Sequence, residues 1–280
     1  MIRERVARLA ILSSLLIAGC GRASPAENPA ALRRAARGVV AVATRHSDDG
    51  SITLCSGTLV APNLVLTARH CVSDALTQTP ACDSRGKSHN GAHVARDADP
   101  HTIEIFTGTH IDVAVDAPRA HAERTVHPTT SVICDADVAF LVLDRAIDDV
   151  EILPMRLTGG VESGDYVVPI GFGGGATGDI GTRVPRASSE VLSVGPGSNR
   201  NTGAVLGPRE FEVQTATCKG DSGGPALDAR TGEVVGVVSR GASCWSDGNH
   251  VYTRVDAYAR LAINALEQAR VADLAHLARR

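Results

Sequence analysis

Between Val39 and Arg254 the chain is a succession of short β-type runs interrupted by Gly, Pro, Asn, Asp and Ser, and this rhythm constrains its fold more than any other feature. Ten runs qualify: Val39–Ala43, Thr58–Val60, Leu64–Thr67, Thr102–Phe106, Val138–Leu143, Tyr166–Ile170, Glu190–Val194, Phe211–Gln214, Glu233–Ser239 and Val251–Arg254. No helical pattern alternates with them, so an antiparallel barrel or sandwich is favoured over a βαβ sheet. Only the end, Asp256 to about Leu277, has helical periodicity, with Tyr258, Leu261, Ala262, Ala265, Leu266 and Ala269 on one apolar stripe. The Gly-rich stretch Gly171–Gly181 is not followed by a helical pattern and reads as a loop rather than a phosphate cradle.

Composition then narrows the class. Lys+Arg 28 against Asp+Glu 31 gives a net charge of −3, which removes the electrostatic footprint of a nucleic-acid binder. With 43% hydrophobic residues over 280 positions the chain fills one globular core. Its seven cysteines are an odd number, so one must stand apart from any disulfide framework.

The N-terminus supplies that cysteine. A charged start, Met1 to Arg8, leads into an apolar run, Leu9 to Ile17, and then Ala18-Gly19-Cys20, the pattern of a secretory signal over residues 1–19. The ending Ile17-Ala18-Gly19-Cys20 resembles the lipobox of bacterial lipoproteins. That resemblance implies lipid on Cys20, export, and anchorage to the cell envelope, with Gly21 in place of an aspartate pointing to the outer membrane. Residues 20–37, with Ser24-Pro25, Asn28-Pro29 and four arginines, read as a tether that has room for a short helix over Ala30–Arg37. No other stretch is long and apolar enough to span a bilayer.

Three segments carry chemistry. Thr67-Ala68-Arg69-His70-Cys71 follows a strand; Asp135-Ala136-Asp137 leads into the apolar run from Val138; Cys218-Lys219-Gly220-Asp221-Ser222-Gly223-Gly224-Pro225 is a glycine turn around a serine. A serine hydroxyl needs a neighbouring base to become a nucleophile at neutral pH. Histidine can take that proton and return it to a leaving group, and a carboxylate behind the ring fixes its tautomer.

In this order and context the three segments resemble the trypsin/chymotrypsin-like serine proteases, from about Val39 to Leu266. Gly-Asp-Ser-Gly-Gly-Pro matches in full; the histidine segment departs only at Arg69, where the family has a small residue. The resemblance implies a protease domain over 38–280: all-β, two six-stranded antiparallel barrels with a C-terminal helix. It implies peptide-bond hydrolysis through an acyl-enzyme, with Ser222 as nucleophile, His70 as base and acid, and Asp137 as the orienting acid. Asp135 competes with Asp137, but the family places the acid immediately before the strand. The backbone N–H groups of Gly220 and Ser222 would form the oxyanion hole. Protein or peptide substrates are the expected partners, with no metal and no organic cofactor. His89 and His93 have i, i+4 spacing but sit in a loop-like setting without Cys or carboxylate nearby, so a solvated loop is preferred to a metal site.

Cys55–Cys71 and Cys218–Cys244 correspond to family disulfides, and exclusion then pairs Cys82 with Cys134. The substrate pocket maps to Ala216, Thr217, Ser239, Gly241 and His250. Ala216 stands where trypsin-type enzymes have an aspartate, so tryptic preference is not expected. His250 stands where glycine is usual, and either narrows the pocket or, when protonated, favours an acidic residue. In activated family members the counterpart of Asp221 pairs with a new N-terminal ammonium. Nothing resembles the usual start here; Arg37-Gly38-Val39-Val40 comes nearest, so Asp221 needs another partner and the protease would be competent without cleavage. The alternatives are a catalytically silent protease-fold binding protein, or an esterase using the same acyl chemistry.

Overall fold

The computed structural model describes residues 29–277 apart from 47, 78, 175–179, 215–216, 242–243, 245–248 and the side chains of 276 and 277. The signal segment, Cys20 and Ala216 lie outside the described residues.

The β-type runs close into two barrels. In the first, β1 (Val39–Arg45), β2 (Ile52–Ala61), β3 (Leu64–Thr67), β4 (Ile103–Phe106), β5 (Ala120–Val126) and β6 (Ala139–Leu143) pair in the order β1-β2-β3-β6-β5-β4, with β4 returning to β1. In the second, β7 (Tyr166–Gly171), β8 (Ser189–Val194), β9 (Glu210–Val213), β10 (Pro225–Asp228), β11 (Val234–Arg240) and β12 (His250–Arg254) repeat that order as β7-β8-β9-β12-β11-β10, closed by β10 on β7. A two-residue strand, Val184–Pro185, pairs with Ile170 and Gly171 at the end of β7, beyond the stretch that pairs with β8. Every pairing in both barrels is antiparallel. The two-barrel, all-β architecture expected from the resemblance is therefore present. Closure leaves no open sheet edge and buries alternate side chains inside each cylinder.

With aromatic residues only 3% of the chain, the cores are aliphatic. Val42, Val65, Ile105 and Leu141 share one buried face of the first barrel's strands, and Phe211 stacks on Tyr252 in the second with ring centroids 5.2 Å apart. Helix α1 (Pro29–Ala36) precedes β1 and buries Ala35 and Ala36, while Arg34 and Arg37 face Glu151. Helix α2 (Ala259–Leu277) leaves the second barrel and packs back on the first through Ala262, Ala265 and Ala269. Small side chains on that face let the helix approach the strands closely. Among the described residues no helix is long and apolar enough to cross a membrane.

Three disulfides are formed: Cys55–Cys71, Cys82–Cys134 and Cys218–Cys244. The second closes a loop of sequence separation 52 and ends three residues before Asp137. Replacing both Cys82 and Cys134 by serine is expected to lower unfolding free energy by about 4 kcal/mol through loop entropy alone. Denaturant titration of the oxidised wild type and the double variant measures it.

Candidate active site

The strand register brings the sequence motifs together. Thr67 on β3 pairs with Ala139 on β6, so the chain leaving β3 runs beside the chain entering β6. The short 3-10 turn Arg69–Cys71 thereby faces Asp137. The backbone N–H of His70 donates to Asp137 Oδ1 at 3.0 Å and its Nδ1 lies 2.7 Å from Oδ2. Asp137 is wholly buried, a place where a carboxylate survives as an anion only with full hydrogen bonding. Ser239 Oγ adds a bond to Oδ2 at 2.6 Å, and Thr253 Oγ1 holds the Asp137 carbonyl at 3.0 Å.

These contacts set the protonation states. Burial works against the Asp137 anion, but the His70 charge, its hydrogen bonds and that of Ser239 hold the carboxyl below the ordinary carboxylate range. Burial likewise works against charging His70, yet the Asp137 charge and hydrogen bond outweigh it and raise the imidazole above its usual value. With Asp137 ionised, Nδ1 is the donor and Nε2 keeps its lone pair. Cys71 Sγ borders Nε2 at 3.8 Å.

Asp135, the competing acid, faces elsewhere. It has a positive φ of 63°, accepts from the Arg209 backbone N–H, and pairs its Oδ2 with Arg209 Nη1 at 2.9 Å. Its own N–H donates to Glu210 Oε1 at 2.8 Å. Burial, together with the Glu210 charge, pushes the Asp135 carboxyl up despite the Arg209 bonds. Its role is to dock the Asp137 loop onto the second barrel. Arg69 is a surrogate wedge: buried, it reaches the carbonyls of Pro128 and Thr130 and lies 3.3 Å from Asp97.

Ser222 sits on the turn feeding β10. Gly223 N–H donates to the Val238 carbonyl and Val238 N–H to the Gly224 carbonyl, both at 2.9 Å, which aligns this turn with the end of β11 where Ser239 holds Asp137. Ser222, His70 and Asp137 line one cleft of about 780 Å³ between the barrels. Among the described residues Ser222 Oγ makes no hydrogen bond to His70; such contacts are often long until substrate is bound. Gly220 has φ +101°, and a Cβ there would meet the Gly173 Cα at 2.9 Å, so only glycine fits this turn. The Asp221 N–H is spent on the Cys218 carbonyl, whereas the N–H groups of Gly220 and Ser222 bond to no described acceptor. That leaves two adjacent donors for a developing oxyanion.

Two organising residues escaped the sequence reading. Ser56, just after Cys55 on β2, donates its hydroxyl to the Gly220 carbonyl at 2.8 Å and accepts the Phe172 N–H at 2.9 Å. Its own N–H donates to the Ser222 carbonyl at 2.8 Å. The second is Arg186, which pairs with Asp221.

The Trypsin family profile matches residues 31–262, most of the chain. The chain belongs to the trypsin family. Among solved structures, a scabies mite inactivated protease paralogue has the same trypsin fold, with a TM-score of 0.62 at 19% identity over 84% of this chain and 96% of that one. No curated protein matches.

The remaining pocket residues of this trypsin-family chain are distributed as follows. Thr217, Ser239 and Gly241 line the cleft, although the Ser239 hydroxyl is turned to Asp137. His250 on β12 is wholly buried behind it, and its Nδ1 accepts from the Thr217 N–H at 3.3 Å. A Cβ on Gly241 would meet that nitrogen at 2.8 Å, so the imidazole lies directly across Gly241.

Proposed function

We propose that the protein is a serine endopeptidase that cleaves peptide bonds through an acyl-enzyme. The observation that carries this reading is the buried Asp137 carboxylate, bonded to both the backbone and the ring of His70 in the cleft that Ser222 also lines. His70 Nε2 takes the Ser222 hydroxyl proton as Oγ attacks the scissile carbonyl. The oxyanion of the tetrahedral intermediate is received by the Gly220 and Ser222 N–H groups. Collapse breaks the C–N bond, the His70 imidazolium returns its proton to the leaving amine, and the acyl group stays on Ser222 as an ester. Water, deprotonated by His70, then releases the acid. Nothing in this sequence of steps calls on a metal or organic cofactor.

The test is covalent. A fluorophosphonate at neutral pH should label folded wild type and leave Ser222→Ala unlabelled. The rival, a silent binding protein on the protease fold, draws on the inactivated paralogue noted above and predicts no labelling of wild type.

His250 gives the P1 preference. An imidazole lying across Gly241 shortens the pocket, which favours small uncharged side chains over Arg, Lys or large aromatics. His250→Gly should raise kcat/KM for aromatic P1 peptides about tenfold or more relative to alanine. Wild type that already cleaves best after Phe or Tyr in a peptide library would reverse this assignment.

The charged leader, the Leu9–Ile17 run and Cys20 support export with a lipid anchor on Cys20, and three disulfides suit an oxidising compartment.

A further inference from the structure

Asp221, next to the proposed nucleophile, is 1% exposed, and its carboxylate is saturated from within the chain. Oδ1 accepts the Gly173 N–H at 2.8 Å, and Oδ2 accepts the Cys218 N–H at 2.8 Å. Arg186 supplies the counter-charge: its Nε and Nη2 reach Oδ2 at 3.1 and 2.7 Å, and Nη2 also donates to the Gly173 carbonyl at 2.9 Å. The Arg186 backbone is pinned in turn, its N–H donating to the Pro169 carbonyl at 2.8 Å. The guanidinium is itself sequestered, with its side chain 12% exposed against 2% for Asp221.

Upstream, the chain enters β1 from a docked helix. Gly38 N–H bonds to the Ala35 carbonyl at 2.9 Å, its own carbonyl receives the Leu59 N–H at 2.9 Å, and a Cβ on Gly38 would run into the Glu151 carbonyl at 2.6 Å. The Arg37–Gly38 bond therefore belongs to a packed turn and not to a loop presented for cutting. Asp221 has no need of a chain terminus.

We propose that Arg186 is a built-in positioning residue: by neutralising Asp221 it holds the Gly220–Ser222 turn in working geometry in the uncleaved chain. The inference rests on the serine-protease reading above. Its physical basis is that a buried carboxylate deprived of its counter-charge is costly and leaves the interior. Asp221 cannot turn outward without straining the two peptides that flank it: one is tied to the Cys218 carbonyl through the Asp221 N–H, and the other, whose carbonyl accepts the Gly224 N–H, carries the Ser222 N–H. An oxyanion contact is made only in the transition state, so its loss lowers kcat and leaves KM nearly unchanged.

The experiment uses the full chain. Wild type is labelled with a fluorophosphonate, and the labelled species is sequenced from its N-terminus; the expected start lies upstream of Pro29, with Arg37–Gly38 intact. Arg186→Ala is expected to lose about 10²–10³ in kcat with KM little changed, the scale of one lost oxyanion donor. Arg186→Lys, which restores a charge but not the two-pronged contact, should recover part of it, as should free guanidinium added to Arg186→Ala. Label found only on chains beginning at Gly38 or later overturns the inference, a result that needs no variant to fold. So does an Arg186→Ala protein that labels and turns over like wild type, or one whose loss neither lysine nor guanidinium relieves. Wild type that fails to label, cut or uncut, overturns the protease reading itself.

Discussion

Ser222→Ala is expected to lower kcat on a cleavable peptide by about 10⁶ while the protein keeps its fold and its melting temperature. Only an oxygen is removed, at a turn whose backbone is fixed by the Ser56 and Gly224 hydrogen bonds rather than by the Ser222 hydroxyl. The nucleophile and base act as a unit, so His70→Ala should cost about as much, and the double variant should lose little more than either single one. Additive losses would show that Ser222 and His70 do not share one step. Initial rates at saturating peptide, normalised to the concentration of folded protein, decide the matter.

The second large effect is expected at Asp137. Asp137→Asn preserves the shape of the pocket but reverses the demand on His70 Nδ1, and kcat should fall by about 10⁴. The same change has a signature in pH. In wild type the imidazole sits above its usual pKa because the Asp137 charge and bond outweigh burial. Since only the neutral ring can act as base, the acid limb of kcat/KM should lie to the alkaline side of an ordinary histidine. Removing the carboxylate leaves burial, which lowers the pKa, so the residual activity of Asp137→Asn should have its acid limb moved to lower pH. The linkage to stability has opposite signs for the two groups. His70 with its raised pKa stabilises the fold most at pH below its unfolded value, and that contribution is lost as pH rises through the folded one. For Asp137, held low, the contribution is present above the ordinary carboxylate range and lost on acidification. An acid limb that Asp137→Asn leaves in place would argue that another group titrates.

The strand pattern and the three motifs were legible because each is local. Valine-rich runs and a glycine turn declare themselves within a few residues, and the order His70, Asp137, Ser222 needs no contact map. Strand β5 was missed because Ala120–Val126 carries His121, Glu123 and Thr125 half-exposed and Arg124 exposed, and a register shift between Ala122 and Arg124 breaks the period of two. Strand β10 was missed because it begins at Pro225, inside the motif that drew attention to Ser222. Asp137 was preferred to Asp135 only from the family pattern; that Asp135 is held by Arg209, 74 residues away, is announced by nothing local. Ser56 and Arg186 were invisible for the same reason. A serine after a cysteine and an arginine in a polar loop carry no pattern, and their meaning comes from partners 164 and 35 positions distant.

The C-terminal helix has a consequence of its own. Tyr258, at its entrance, donates its hydroxyl to the Asp135 carbonyl at 2.5 Å, and Asn63, in the β2–β3 turn, donates to the Ala269 carbonyl at 2.9 Å. One segment thus fastens the loop that carries Asp137 and the hairpin that leads to His70. It is also later in synthesis than every residue it fastens. A nascent chain has its serine, histidine and aspartate before it has this fastening, so assembly of the site is timed to the arrival of its last helix.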